Sequence, residues 1–338
     1  MMLSDFSITK HELRYKNPFT ISGKTFTSKE VFYITLTDQE GCRATGECAP
    51  FPQFGTESVE AAGILLKSLS AEKINPGFLQ GIKAKYPAVH AGMEQALLQL
   101  RMLHGERTES LFPGIRLKSS VKVNGVTGIS DYESTISKIR GLLAEGYHVI
   151  KMKTGRPDPE DDIETVKRVR GELGYDFGLR LDLNGAWDVQ KTCKYLPKLD
   201  QYNIEYVEQP VQLLHDFLHI KGCSSIPVAA DESLMSFLAA MNIIENELAQ
   251  VFIIKPAVLG GVTEALRIIS LAEANGIKPV VTTSLESSLG KRMAVFCAAA
   301  LKEDIHCGLS TAGMISNDPT TDIYPVNSGV ISLGNHLL

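Results

Sequence analysis

Three carboxylates in this chain close apolar runs at places where packing alone gives no reason for an acid. Asp182 ends Leu179-Arg180-Leu181, Glu208 ends Ile204-Glu205-Tyr206-Val207, and Asp231 follows Val228-Ala229-Ala230. Amines recur in the same way: Lys151 and Lys153 lie at the end of Val149 to Met152, and Lys255 follows Val251 to Ile254. Any one of these residues alone reads as a turn, a helix cap or a structural ion pair. Five successive runs ending in charge form a different pattern, because unpaired charges converging on one place cost several kcal/mol each unless an ion or ligand compensates them. The three acids are hard oxygen donors with no neighbouring His or Cys, which suits Mg²⁺, or Mn²⁺, better than zinc. Lys151 and Lys153 share parity, whereas Lys255 comes several runs later, so two ammonium groups can face a substrate from opposite sides. A lysine crowded by cations loses its proton more readily and serves as a general base. A metal and an amine base together point to removal of a proton next to a carboxylate, giving an ene-diolate.

The elements that must hold these residues follow from the apolar periodicity. Residues two apart on a strand share a face, so Arg180, Asp182 and Asn184 point one way and Leu181 and Leu183 the other. Gly185 ends that run, and a helical spacing follows from Asp188 to Leu199. From Ser120 onward the pattern repeats at Val121-Val123, Val149-Met152, Leu179-Leu183, Ile204-Val207, Val228-Ala230, Val251-Ile254, Val280-Val281 and near His306-Leu309, each but the last followed by a helical stretch. Eight such units predict a (β/α)8-type barrel over residues 118–319 with a degenerate last unit, and ligands then bind at the carboxyl ends of the strands. Pro159 to Asp162 places acids in the first turn of one helix that Gly174 ends, and Asn275-Gly276 ends another that starts at Val262.

Residues 1–117 lack this period. Phe6-Thr9, Val31-Leu36 and Ala44-Cys48, with a turn at Gln39-Glu40-Gly41, predict a small antiparallel sheet, and Val59-Leu69 and Val89-Leu103 predict helices, making an α+β capping unit. Two stretches within it, Asn17 to Lys29 and Pro50 to Glu57, read as loops. Pro319 and Pro325 break the tail, and Ile331 to Leu333, within residues 320–338, is expected to return to this first unit.

The 338 residues carry a net charge of -5, with no basic run, which excludes a nucleic-acid or anionic-membrane partner and favours a small molecule. No apolar run approaches the roughly 20 residues of a membrane helix, and Met1 to Lys10 lacks the pattern of a signal peptide, so a cytoplasmic protein is expected. The six cysteines form no C-x-x-C pair and sit mostly in apolar surroundings, which predicts buried free thiols. Composition is silent on oligomeric state.

Lys151-Met152-Lys153, Asp182-Leu183-Asn184, Val207-Glu208-Gln209-Pro210, Asp231-Glu232-Ser233 and Lys255-Pro256 with Gly260-Gly261 resemble, in order and spacing, the muconate-lactonizing-enzyme subgroup of the enolase superfamily. The resemblance covers nearly the whole chain. It implies that Asp182, Glu208 and Asp231 are Mg²⁺ ligands, that Asn184 supports them, and that Lys153 and Lys255 flank the substrate α-carbon. Within the subgroup, Gly46 to Pro52 with Phe54 to Glu57, Thr283 to Gly290, and Gly308 to Thr311 resemble the o-succinylbenzoate synthases, lyases of menaquinone biosynthesis that dehydrate a cyclohexadiene carboxylate. Arg180 also resembles an arginine of many such synthases. The likeness implies that Ser284, Ser287 and the amides near Ser310 hold a succinyl carboxylate and that Phe51 or Phe54 covers the ring. Dipeptide epimerases and N-acyl or N-succinylamino acid racemases of the same subgroup use the same lysines and metal. The former carry an Asp-x-Asp at the eighth strand, where this chain reads Gly308-Leu309-Ser310-Thr311. A ligand-binding barrel without chemistry predicts a missing lysine or carboxylate, and none is missing.

Overall fold

The structure is a computed structural model that describes residues 2–21 and 24–334. Its first layer is an antiparallel sheet in the order β1 (Leu3–Ile21), β2 (Lys24–Asp38), β3 (Arg43–Cys48). Three helices follow: α1 (Val59–Lys67), α2 (Pro76–Ile82) and α3 (Pro87–Leu103). Ser58 and Asn75 cap the first two by accepting the N–H of Ala61 and Phe78. Helix α3 lies directly on β3 because two glycines meet there. A Cβ on Gly46 would stand 2.0 Å from the Gly92 carbonyl oxygen, and one on Gly92 would stand 2.7 Å from the Cys48 nitrogen, so no side chain fits on either surface. The stretch Asn17 to Lys29, expected to be a loop, is largely the tip of the β1–β2 hairpin, with a register shift between Arg14 and Phe19. Its Ser and Thr content imitated a loop, but cross-strand pairing overrode local propensity. Residues 22 and 23 of that stretch lie outside the described residues.

After a short helix, α4 (Thr108–Leu111), the chain enters a parallel sheet of seven strands in sequence order: β5 (Gly125–Thr127), β6 (Val149–Lys153), β7 (Gly178–Asp182), β8 (Ile204–Glu208), β9 (Val228–Ala230), β10 (Val251–Ile254) and β11 (Lys278–Val281). Helices α5 (Tyr132–Ala144), α6 (Pro159–Leu173), α7 (Val189–Tyr195), α8 (Phe217–Ile220), α9 (Phe237–Glu245), α10 (Val262–Ala274) and α11 (Ser288–Ala299) lie between or after them. The eighth unit closes the ring without a full strand: Thr282 bridges Gly308 and Val123 bridges Cys307, both parallel. Strand β10 is buried along its whole length, as a strand covered on both faces must be.

The first barrel strand is Gly125–Thr127, not the expected Val121-Val123. That earlier run forms β4 (Ser120–Lys122), which pairs antiparallel with β12 (Val330–Ser332). The tail therefore reaches the cap earlier than expected, where Ile315 bridges Tyr15 and Ser316 donates its N–H to the Arg14 carbonyl at 2.8 Å. Its last strand instead pairs beside the amino end of the barrel. An apolar alternation identifies a strand but not its partner, and Ile331 opposite Val121 buries both. The cysteine expectation holds at Cys48, Cys297 and Cys307, which are buried thiols, and at Cys42, a half-buried one. It is corrected at Cys193 and Cys223, which form a disulfide between α7 and the turn after α8. Thirty residues separate them, so only the packing of neighbouring βα units brings them together. Among the described residues no helix is long and apolar enough to cross a membrane.

Candidate active site

Parallel register places the candidate residues. Lys153 pairs with Asp182, Asp182 with Glu208, and Glu208 with Ala229, two residues before Asp231. Adjacent strands thus bring the acids to neighbouring positions at the carboxyl end of the sheet. The exits are conformationally unusual: Asn184, Gln209 and Leu285, just beyond β7, β8 and β11, have φ of 45°, 42° and 67°. Non-glycine residues occupy this region at a cost that surrounding contacts must offset, and such residues cluster at functional sites. At Gln209 those contacts are visible. Its Oε1 accepts the N–H groups of Asp231 at 3.1 Å and Ser233 at 3.2 Å, and its Nε2 donates to Ser233 Oγ at 2.7 Å. Gln209 therefore sets the turn that carries Asp231. Sequence reading gave it no role beyond its place in Val207-Glu208-Gln209-Pro210.

The lysines and acids interdigitate. Lys151 Nζ lies 2.8 Å from Asp182 Oδ2 and 2.9 Å from Glu208 Oε1, while Lys153 Nζ lies 2.6 Å from Asp182 Oδ2 and donates to Asn184 Oδ1 at 2.7 Å. Asn184 Nδ2 donates in turn to Glu232 Oε1 at 2.8 Å, and across the mouth Lys255 pairs with Asp231. The Lys255 ammonium also sits 3.7 Å from the centroid of the Phe54 ring, and Phe51 packs edge-on against Phe54 with centroids 4.7 Å apart. The cap's aromatic turn therefore covers the barrel's sixth strand end.

The electrostatics follow from burial. Burial alone would raise the Asp182 carboxyl, but Lys151 and Lys153 outweigh it and hold it well below the ordinary range. Glu208 goes the other way: burial, then the charge of Asp182, pushes it well up. Burial disfavours the Lys255 ammonium, yet Asp231 and Glu232 overcome this and raise it, and Lys151 is raised against burial by Asp182 and Glu208. At Lys151 and Lys255 the neighbouring carboxylates therefore set the direction of the shift.

Three buried carboxylates from adjacent strands, with Glu232 Oε2 buried and without a hydrogen-bond partner among the described residues, form an all-oxygen anionic donor set. Such a set fits a hard divalent cation held by Asp182, Glu208 and Asp231.

Four other candidates have their hydrogen-bond partners outside this lysine–carboxylate network. Arg180 points into the layer below, donating to Glu205 at 2.7 Å and to the His306 carbonyl at 2.7 Å, and so ties the third strand to the closing segment. Ser284 donates its hydroxyl to Glu286 at 2.6 Å. Ser287 caps α11 and is committed to Glu47 and Tyr33. Ser310 is half-buried, beside a Thr283–Thr311 hydroxyl pair. Beneath the aromatic turn lies a group that the sequence did not reveal: Lys29, buried, donates to the Ser284 carbonyl at 2.9 Å.

A parallel barrel capped by an antiparallel sheet, with lysines and carboxylates gathered at the carboxyl ends of its strands, is the architecture of a (β/α)8-type enzyme. The chain belongs to the enolase superfamily: the family described as Enolase C-terminal domain-like matches residues 135–335. Its relatives fall in the muconate-lactonizing subgroup. The chain is 37% identical over 192 residues to an o-succinylbenzoate synthase of Thermobifida fusca, a match spanning 56% of this chain and 60% of that relative. It is 26% identical to a D-Ala-D/L-Ala epimerase of Cytophaga hutchinsonii over 94% of this chain and 89% of the relative. Among solved structures, a dipeptide epimerase from Enterococcus faecalis V583, complexed with Mg and the dipeptide L-Leu-L-Tyr, superposes with a TM-score of 0.88 at 25% identity, covering 99% of this chain and 98% of that one.

Proposed function

We propose that the protein is an o-succinylbenzoate synthase, a lyase that removes water from 2-succinyl-6-hydroxy-2,4-cyclohexadiene-1-carboxylate. The observation that carries this reading is the eighth strand end. Gly308, Leu309, Ser310 and Thr311 supply no acid there, and the nearby Glu286 is taken up by the amide and hydroxyl of Ser284. A dipeptide substrate brings an ammonium group, and burying that charge unpaired would cost several kcal/mol, or several powers of ten in affinity. A substrate with only carboxylates and a carbocycle needs no such acid, and the Phe51–Phe54 pair offers it an apolar cover. The partial likeness to the Thermobifida fusca enzyme supports the same choice.

In this reading Asp182, Glu208 and Asp231 hold Mg²⁺, which when bound supplies positive charge at the substrate carboxylate. Lys153 Nζ takes the proton from the α-carbon. Asn184, which accepts from Lys153 and donates to Glu232, orients that amine. Lys255, kept cationic by Asp231 and Glu232, faces the negative charge that develops. The hydroxyl then leaves with the proton returned by Lys153, so one water is released and the ring becomes aromatic.

Epimerisation of a dipeptide, or racemisation of an N-acyl or N-succinylamino acid, is the second reading, favoured by lysines on both sides of the site and by the long match to the Cytophaga hutchinsonii epimerase. Magnesium-loaded protein offered both substrate classes separates them: a rise in aromatic absorbance with the cyclohexadiene and negligible turnover of a dipeptide panel is the expected result. Useful dipeptide epimerisation with an untouched cyclohexadiene would overturn it.

A further inference from the structure

The β2–β3 turn lies at the opposite end of β3 from Glu47, well separated in the chain from the barrel's acids. Asp38 is 2% exposed there, and its two oxygens have different tasks. Oδ1 accepts the backbone N–H groups of Glu40 at 2.9 Å and Cys42 at 3.0 Å, which fixes the turn. Oδ2 faces Nε2 of His104, the residue that ends α3, at 2.5 Å. The Cys42 thiol is free and half-buried. One donor atom each from Asp38, Cys42 and His104 lies within 4.8 Å of the other two. On the far side of the imidazole, Glu40 Oε2 stands 3.8 Å from Nδ1.

A structural Asp–His hydrogen bond requires neither a thiol at the third corner nor a carboxylate behind the ring. Metal-bound imidazoles are characteristically oriented by such a carboxylate on the second nitrogen. Zinc bonds of about 2.0–2.3 Å place tetrahedral ligands about 3.5 Å apart. Asp38 Oδ2 and His104 Nε2, 2.5 Å apart, therefore need to open by about an ångström while the thiol, within 4.8 Å of both, closes by about as much, which rotation of the part-exposed His104 side chain permits. A thiolate and an imidazole select a borderline-soft ion over magnesium, the reverse of the all-oxygen barrel mouth.

We propose that Asp38, Cys42 and His104 form a three-ligand site for a zinc-class cation, with Glu40 orienting the imidazole and a fourth position open to water. The bound ion joins the β2–β3 turn to the end of α3, so it stabilises the cap by mass action and leaves the barrel reaction unchanged.

Cobalt(II), titrated into full-length magnesium-loaded protein, is the probe. The expected result is a near-ultraviolet thiolate-to-cobalt charge-transfer band that saturates at one equivalent, disappears when zinc is added, and accompanies a zinc-dependent rise in thermal midpoint. Cobalt held only by barrel carboxylates gives no such band. Cys42→Ser should abolish the band and His104→Gln should weaken binding at least tenfold, both with unchanged magnesium-dependent turnover. Absence of the band in the unaltered protein, its persistence in Cys42→Ser, or a zinc-dependent midpoint rise that is the same in both variants would each overturn the site.

Discussion

The Lys255 ammonium lies 3.7 Å from the centroid of the Phe54 ring, so an aromatic turn of the cap rests on a charged group of the barrel. A desolvated cation–π contact contributes about 2 kcal/mol. Phe54→Ala should therefore lower kcat/KM by about tenfold or more, while Phe54→Tyr keeps most of it. Equal kcat/KM values in all three proteins would show that the contact does not serve the reaction.

Glu208 is buried between Lys151 and the neighbouring acids. Glu208→Gln should abolish turnover while the protein keeps its fold, because the substitution removes one negative ligand from a site crowded with like charge. EDTA should inactivate the unaltered protein and magnesium should restore it. Full turnover after chelation would sink the metal assignment.

Lys153 and Lys255 hold different partners, Asp182 with Asn184 and Asp231 respectively. Lys153→Ala and Lys255→Ala should each eliminate dehydration, but only Lys153→Ala should also eliminate exchange of the substrate α-proton with deuterated solvent. Exchange surviving in Lys153→Ala and lost in Lys255→Ala would reverse the two roles.

Glu47 joins cap to barrel by accepting the N–H groups of Ser287 at 3.0 Å and Gly290 at 2.9 Å. Burial pushes its carboxyl from an ordinary 4.5 up to about 7, despite those donors. Between these values the folded protein binds a proton that the unfolded chain does not, so the contribution of Glu47 to stability is greatest at low pH and declines as pH rises through about 7. The decline amounts to about 3 kcal/mol at most. Denaturant unfolding at pH 5 and pH 7.5 should show it, and Glu47→Gln should flatten the difference even though the glutamine adds a constant cost. An identical pH slope in the variant would contradict it.

The chain itself determined the repeat and which charged residues stand at the strand ends. Apolar runs alternating with helical spacings can bury their faces only in a parallel sheet with helices around it, and Asp182, Glu208, Asp231, Lys153 and Lys255 were legible because a charge at the end of an apolar run conflicts with local preference unless a site needs it. Parity placed Arg180 on the same face as Asp182. Parity does not give depth, and one layer lower the arginine meets Glu205 and the His306 carbonyl instead of the mouth. The partners of Ser284 and Ser287 were not legible either, since their hydroxyls turn to Glu286 and Glu47, and Glu47 lies 240 residues away from Ser287. Only the tertiary structure brought Cys193 to Cys223, paired β4 with β12, laid Phe54 over Lys255 and gathered Asp38, Cys42 and His104. Periodicity reports the face on which a residue lies, because each element repeats its own geometry. Which faces meet is decided by the packing of all the elements together, and no local spacing encodes it.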